Sequence, residues 1–102
     1  MPPAPVFAAL GDVTRLELIS RLSDGEELSI TALTDGLDLT RQAITKHLQV
    51  LHHAGIVDSR RVGRESRYTI RPDPITAARD YLSQVSKQWD SAIARLRSAV
   101  ER

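Results

Sequence analysis

Cysteine is absent from the 102 residues, which excludes a structural disulfide and any thiolate metal site. No apolar run approaches the roughly 18 residues of a membrane span, and no basic stretch leading into an apolar one opens the chain. The sequence therefore reads as a cytoplasmic protein without membrane contact. Also missing are a glycine-rich phosphate loop, a Ser or Cys nucleophile set in a tight elbow, and a cluster of histidines with carboxylates. Recognisable catalytic sites rest on such features, so no catalytic residue and no cofactor is assigned and an enzyme is not expected. The acidic trio Asp24, Glu26 and Glu27 reads as a solvated helix exit and loop.

A surplus of either charge is lacking as well, with 14 Lys and Arg against 13 Asp and Glu, but the distribution is uneven. Residues 1–39 hold two basic and seven acidic side chains, residues 40–71 hold seven and two, and residues 72–102 hold five and four. A basic middle third in a near-neutral chain is the footprint of phosphate binding, although a solvated face gives the same count. The length implies one domain, 1–102, with a core thin enough that dimerisation is expected.

Caps and breakers divide the chain. The opening "MPPAPV" is expected to fray, "PVFAALG" has room for a short helix stopped at Gly11, and Asp12 caps "VTRLELISRLSDG". In that second helix Leu16, Ile19 and Leu22 recur at helical spacing before Gly25 supplies a stop. Ser29 caps about two turns of "ITALTD", with Gly36 at the position after the helix. After Leu37-Asp38-Leu39, Thr40 caps a helix over 41–54 that Gly55 closes. Ala43, Ile44, Leu48 and Leu51 share its core face. A short helix, a tight turn and a longer helix make a helix-turn-helix.

Beyond Gly55 the period becomes extended. "IVDSRRV" and "ESRYTI" flank a turn at Gly63-Arg64, a β-hairpin over 56–70 with Val57, Tyr68 and Ile70 on its inner face. Arg60, Arg61, Arg64 and Arg67 are expected on its tip and outer face. Beside a helix-turn-helix this is a wing; the alternative is an edge hairpin kept soluble by charge. "RPDP" then restarts a helix over 74–102. Its apolar stripe, Ile75, Ala78, Leu82, Val85, Trp89, Ile93, Leu96 and Val100, is long and narrow, so a partner helix is the economical explanation. Phe7, Leu10, Leu82, Val85, Trp89, Ile93 and Leu96 are the expected dimer interface, the alternative being a helix folded onto its own domain. The fold class is mainly α with a small β-hairpin (α+β), a winged helix-turn-helix core over 6–71 with a long C-terminal dimerisation helix.

A DNA major groove admits one such helix, whose N-terminal residues reach base edges. The polar side of helix 41–54 offers Thr40, Arg41, Gln42, Thr45, Lys46 and Gln49. Gln42 suits adenine and Thr45 a thymine methyl, whereas Thr40, Arg41 and Lys46 are placed for phosphates. The wing arginines, chiefly Arg61, Arg64 and Arg67, are expected at the neighbouring minor groove or its phosphates. Two such helices on a twofold would read an inverted repeat in a double-stranded operator. A protein-binding winged helix that does not read DNA sequence is the competing function.

The succession "FAALGDVTRLELISRL", "LSITALTDGLDLTRQAITKHLQVLHHAGIV" and "RRVGRESRYTI" resembles the ArsR/SmtB family of bacterial winged helix-turn-helix repressors. The resemblance spans about residues 6–71, with Val13 where many members carry proline. It implies a homodimer that binds an operator near a promoter, usually as a repressor, and releases it when an effector alters the dimer. Metal-sensing members carry cysteines in the first helix of the motif, or His and carboxylate ligands on the terminal helix. Here the first region reads "ELSITAL" and the terminal helix holds no histidine. The three histidines, His47, His52 and His53, lack the i, i+4 spacing of a helical metal pair. His47 is expected to pack half-buried beside Leu48 and Leu51, and no metal site is assigned. An unidentified small-molecule effector, seated in the dimer groove near Tyr81 and Trp89, is one option for the signal.

Overall fold

The computed structural model of the chain describes residues 3–101. Eight elements follow in order: α1 (Ala4–Leu10), α2 (Val13–Leu22), β1 (Leu28–Ser29), α3 (Ile30–Thr34), α4 (Arg41–His53), β2 (Val57–Val62), β3 (Glu65–Ile70) and α5 (Pro72–Val100). The helices start where side chains satisfy their orphan amides. Asp12 accepts from the Arg15 amide, Ser29 from Ala32 and Thr40 from Ala43. The expected frayed entry is corrected from Ala4 onward: α1 begins directly after Pro3, with proline in its first turn and Val6 buried. Met1 and Pro2, the rest of that expectation, lie outside the described residues.

The core is built by Leu18 and Leu22 of α2, Leu33 of α3, Ile44, Leu48 and Leu51 of α4, and Ile56 and Val57 behind them, with Tyr68 of β3 and Ala78 of α5 at its margins. The expected face of α2 is corrected. Leu16 is 51% exposed, while Leu18 and Leu22 are fully buried. Steps of three residues turn 300° at 3.6 residues per turn, so a 16–19–22 series drifts about 60° per step, and Leu16 ends a third of a turn away from Leu22.

Two further elements differ from the sequence reading. A short strand, β1, adds to the hairpin, giving an antiparallel three-stranded sheet in the order β1-β3-β2. The long helix starts at Pro72, with both Pro72 and Pro74 accommodated in its first turn. Its opening packs on α1 through Ile75 and Ala78. From Ser86 to Val100 every residue but Ala92 is exposed. The chain accordingly measures 68 × 28 × 21 Å with a radius of gyration of 18.1 Å, against about 13 Å for a compact chain of this length.

Candidate nucleic-acid interface

Helix α4 is fixed from its inner side and left free on its outer side. Ile44, Leu48 and Leu51 are fully buried. His47, between the two faces, lies 3.2 Å from Arg15 Nη1 and 3.7 Å from Asp12 Oδ2 through its Nδ1. An arginine only donates, so Nδ1 accepts. The same guanidinium donates through Nε to the Ala9 carbonyl at the end of α1. Arg15 therefore ties α1, the start of α2 and α4 together. His47 is half-buried as expected, but it belongs to this polar network as well as to the packing. The Asp12 carboxyl is held below its ordinary value of 3.8, first by the hydrogen bond from the Arg15 amide, with desolvation opposing it as the next effect and the nearby Arg15 charge adding to the lowering.

The turn before α4 has its own brace. Arg21 Nη1 donates to the carbonyls of Leu33 (3.3 Å) and Asp35, and Arg21 Nε to Glu17 Oε1 at 3.2 Å. A cation at the C-terminal end of α3 satisfies carbonyls that have no helical partner. Arg15 and Arg21 were not singled out from sequence, because their partners lie up to 32 residues away.

On the outer side, Arg41, Gln42, Thr45, Lys46 and Gln49 line one shallow groove of about 510 Å³. All but Thr45 are exposed. Thr45 Oγ1 donates to the Arg41 carbonyl at 2.8 Å, which leaves its methyl and an acceptor lone pair outward. Thr40 accepts the Ala43 amide through Oγ1, so its hydroxyl hydrogen stays available. No acidic residue occurs in α4. Among the described residues neither Arg41 nor Lys46 enters a salt bridge.

The exit from α4 aims the wing. The Gly55 amide bonds to the His52 carbonyl and the Ile56 amide to that of Leu51, both at 3.0 Å. With Gly55 at φ 76° this is the Schellman arrangement, and the buried pair Ile56 and Leu51 supplies its hydrophobic contact. The hairpin turns at Gly63, φ 63°, with Arg64 at negative φ, the type II′ pattern in which glycine takes the first central position.

The strand register corrects the expected outer face. Val57 pairs with Ile70, Ser59 with Tyr68 and Arg61 with Ser66, whereas Arg60 pairs with Arg67. Alternation therefore puts Arg61 on the Val57 and Tyr68 side, and only Arg60 and Arg67 share the outer face. Those two are engaged. Arg60 forks onto Glu27, Nε to Oε2 at 2.6 Å and Nη2 to Oε1 at 2.9 Å. Arg67 lies 3.2 Å from Glu65 and 3.8 Å from Glu27. Glu27 is thus an anchor of the wing rather than part of a solvated loop. Its carboxyl is held below the ordinary 4.5 by the Arg60 hydrogen bond first, and by the charges of Arg60 and Arg67. Arg61 and Arg64 are exposed and, among the described residues, form no salt bridge.

The expected interface residues fall in two groups. Phe7, Leu10 and Leu82 line a groove of about 620 Å³ between α1 and α5, with Ser83, Ser86 and Lys87 on its rim. The Phe7 ring sits 5.9 Å from that of Tyr81 in the same chain. Val85 is half-buried, whereas Trp89, Ile93 and Leu96 continue the stripe at 65%, 44% and 65% exposure. His52 and His53 are exposed neighbours with rings 6.3 Å apart, edge to face. No three His, Cys, Asp or Glu side chains among the described residues gather as a metal site would require. No helix among them is long and apolar enough to cross a membrane.

A helix-turn-helix domain model matches residues 10–60. The HTH-type transcriptional regulator YuzN of Bacillus subtilis is 41% identical over 76 residues, 69% of this chain and 83% of that one. The arsenical resistance operon repressor of Escherichia coli is 33% identical over 70 residues, 69% of this chain and 60% of the repressor. Among solved structures, an ArsR-like transcriptional regulator from Rhodococcus superposes with a TM-score of 0.76 at 36% identity, covering 94% of this chain and 90% of that one. A helix-turn-helix braced from within, a basic wing beside it and these likenesses converge: the chain belongs to the ArsR-type winged helix-turn-helix transcriptional regulators, a family of DNA-binding proteins and not of enzymes.

Proposed function

We propose that the protein is a homodimeric, sequence-specific transcription repressor that works in the cytoplasm and reads an inverted-repeat operator with α4 and the wing. The observation that carries this reading is the outer face of α4. Five polar side chains share one groove there, two of them cations without an ion-pair partner among the described residues. Gln42 and Thr45, in the first turns, read base edges, with Gln42 bidentate to an adenine. Thr40, Arg41, Lys46 and Gln49 set the helix on the backbone, and Arg61 and Arg64 reach the adjacent minor groove. Residues 6–71 form the reading unit and α5, Pro72–Val100, the dimerisation helix.

The apolar stripe of α5 supports the dimer. A second copy covering Trp89, Ile93 and Leu96 buries surface that one chain leaves in water, and α1 extends the contact through Phe7 and Leu10. Two reading helices then sit roughly 34–36 Å apart, one turn of B-DNA. A small-molecule effector would sit in the dimer groove near Tyr81 and Trp89, neither of which lines the groove between α1 and α5. Repression of an operon, which the name of the arsenical resistance operon repressor states for that protein, would here act through the dimer without a thiolate metal site.

Binding measured by mobility shift across 50–200 mM salt tests the reading. Three to four phosphates neutralised per protomer give a slope of log K against log salt near about −6. A nearly flat dependence contradicts it and favours the protein-binding alternative.

A further inference from the structure

The wing carries four arginines, and the fold turns two of them back on itself. Glu27 immediately precedes β1, in which Leu28 pairs with Tyr68 and Ser29 with Arg67. Arg67 in turn pairs with Arg60 across β3 and β2. By strand alternation Glu27, Ser29, Arg67 and Arg60 belong to one face of the sheet. The Arg60 side chain crosses the central strand to fork onto the Glu27 carboxylate, and Arg67, between them, approaches the same carboxylate and Glu65.

This face therefore has its positive charge matched, Arg60 and Arg67 against Glu27 and Glu65, with Arg71 3.6 Å from Asp58 at its base. Arg60 is 68% exposed in its side chain, and an ion pair so open to water contributes little to stability. Its consequence is directional. A bidentate fork fixes where a guanidinium points, and one held on Glu27 is not offered to a phosphate. Arg61, on the opposite face, and Arg64, in the turn, are under no such restraint.

We propose that Glu27 is a positioning residue of the wing: by holding Arg60 and drawing Arg67 into the same cluster, it withholds both from the DNA backbone and leaves the groove contact to Arg61 and Arg64. The proposal rests on the DNA reading given above and deepens it. Each arginine released would neutralise one more phosphate of any sequence, strengthening non-specific binding and eroding the ratio of specific to non-specific affinity. Glu27 thereby acts as a brake on indiscriminate binding.

Fluorescence anisotropy with a labelled 30-base-pair duplex of mixed sequence, titrated at several salt concentrations, tests this. Glu27→Gln is expected to bind more tightly at low salt, with a salt slope steeper by up to about 1.8 per protomer, two phosphates at about 0.9 each. Arg60→Ala should leave the wild-type slope in place, whereas Arg64→Ala should flatten it by about 0.9 per protomer. A Glu27→Gln slope that is unchanged or flatter, or an Arg60→Ala loss equal to that of Arg64→Ala, would overturn the assignment. Should the Gln variant melt early, the contrast between Arg60→Ala and Arg64→Ala decides alone. Wild-type protein that binds no duplex brings down the DNA reading and the Glu27 role together; a wild-type slope as expected with the wrong variant pattern brings down only the latter.

Discussion

Helices α4 and α5 carry apolar stripes of the same kind and leave them in opposite surroundings. In α4, Ile44, Leu48 and Leu51 are fully buried; in α5, Leu82, Trp89, Ile93 and Leu96 are 44–65% exposed. Periodicity records that a face needs covering, and the fold decides which neighbour covers it. For α4 the neighbours are α2, α3 and the sheet. For α5 beyond its first turns the protomer supplies none, and the proposed second copy does. In the proposed dimer the contrast separates stability, set by the α4 face, from assembly, set by the α5 face.

The largest effect expected from breaking that contrast is on the buried stripe. Leu48→Ala should cost about 2–5 kcal/mol in chemical denaturation, through lost transfer energy plus a cavity in a site with little room to collapse. Trp89→Ala should leave protomer helicity intact but weaken the dimer by at least about 2 kcal/mol, near thirtyfold in dissociation constant, as for an aromatic anchor; sedimentation equilibrium reads it directly. An unaltered dimer there would mean that the stripe is not the interface. On the outer face of α4, Gln42→Ala should reduce discrimination between an operator and mixed-sequence DNA by about 1–3 kcal/mol, measured by competition binding. Thr40→Ala removes the cap of α4 and should cost about 1 kcal/mol in thermal unfolding.

The smallest effect expected is on the acid limb of stability. Asp12 and Glu27 titrate below their ordinary 3.8 and 4.5 in the folded chain. A depressed carboxylate contributes stability that is full above its unfolded value and is lost as pH falls through its folded one. Stability should thus decline as pH drops below about 4.5, where the unfolded carboxylates begin to bind protons, and Glu27→Gln should make that decline shallower. An identical acid profile for the variant would show that the Arg60 pair is not retained in solution.

Where caps mark the boundaries, sequence and structure agree closely. Asp12, Ser29 and Thr40 each accept the amide three residues on, because a capping side chain acts within its own turn. The hairpin turn was equally local, since Gly63 alone supplies the positive φ. What escaped was non-local. Two residues, Leu28 and Ser29, are too few to display an alternating period, and they become a strand only because β3 pairs with them. Glu27 meets Arg60 33 residues away, and His47 meets Arg15 across 32, separations at which no spacing rule operates. Leu16 shows a different effect, a threefold spacing that drifts off the buried face of α2. The polar outer face of α4, by contrast, is legible because five polar residues share one helix and helical geometry alone brings them together.

In the proposed dimer two copies present α4 to successive major grooves. Selection of bound duplexes from a randomised pool by wild-type protein, followed by sequencing, tests it most directly. An inverted repeat with half-site centres about 10–10.5 base pairs apart, one turn of B-DNA, should be enriched. Enrichment of a single unrepeated half-site would contradict the dimer, and recovery of the pool unchanged would contradict sequence reading by α4 altogether.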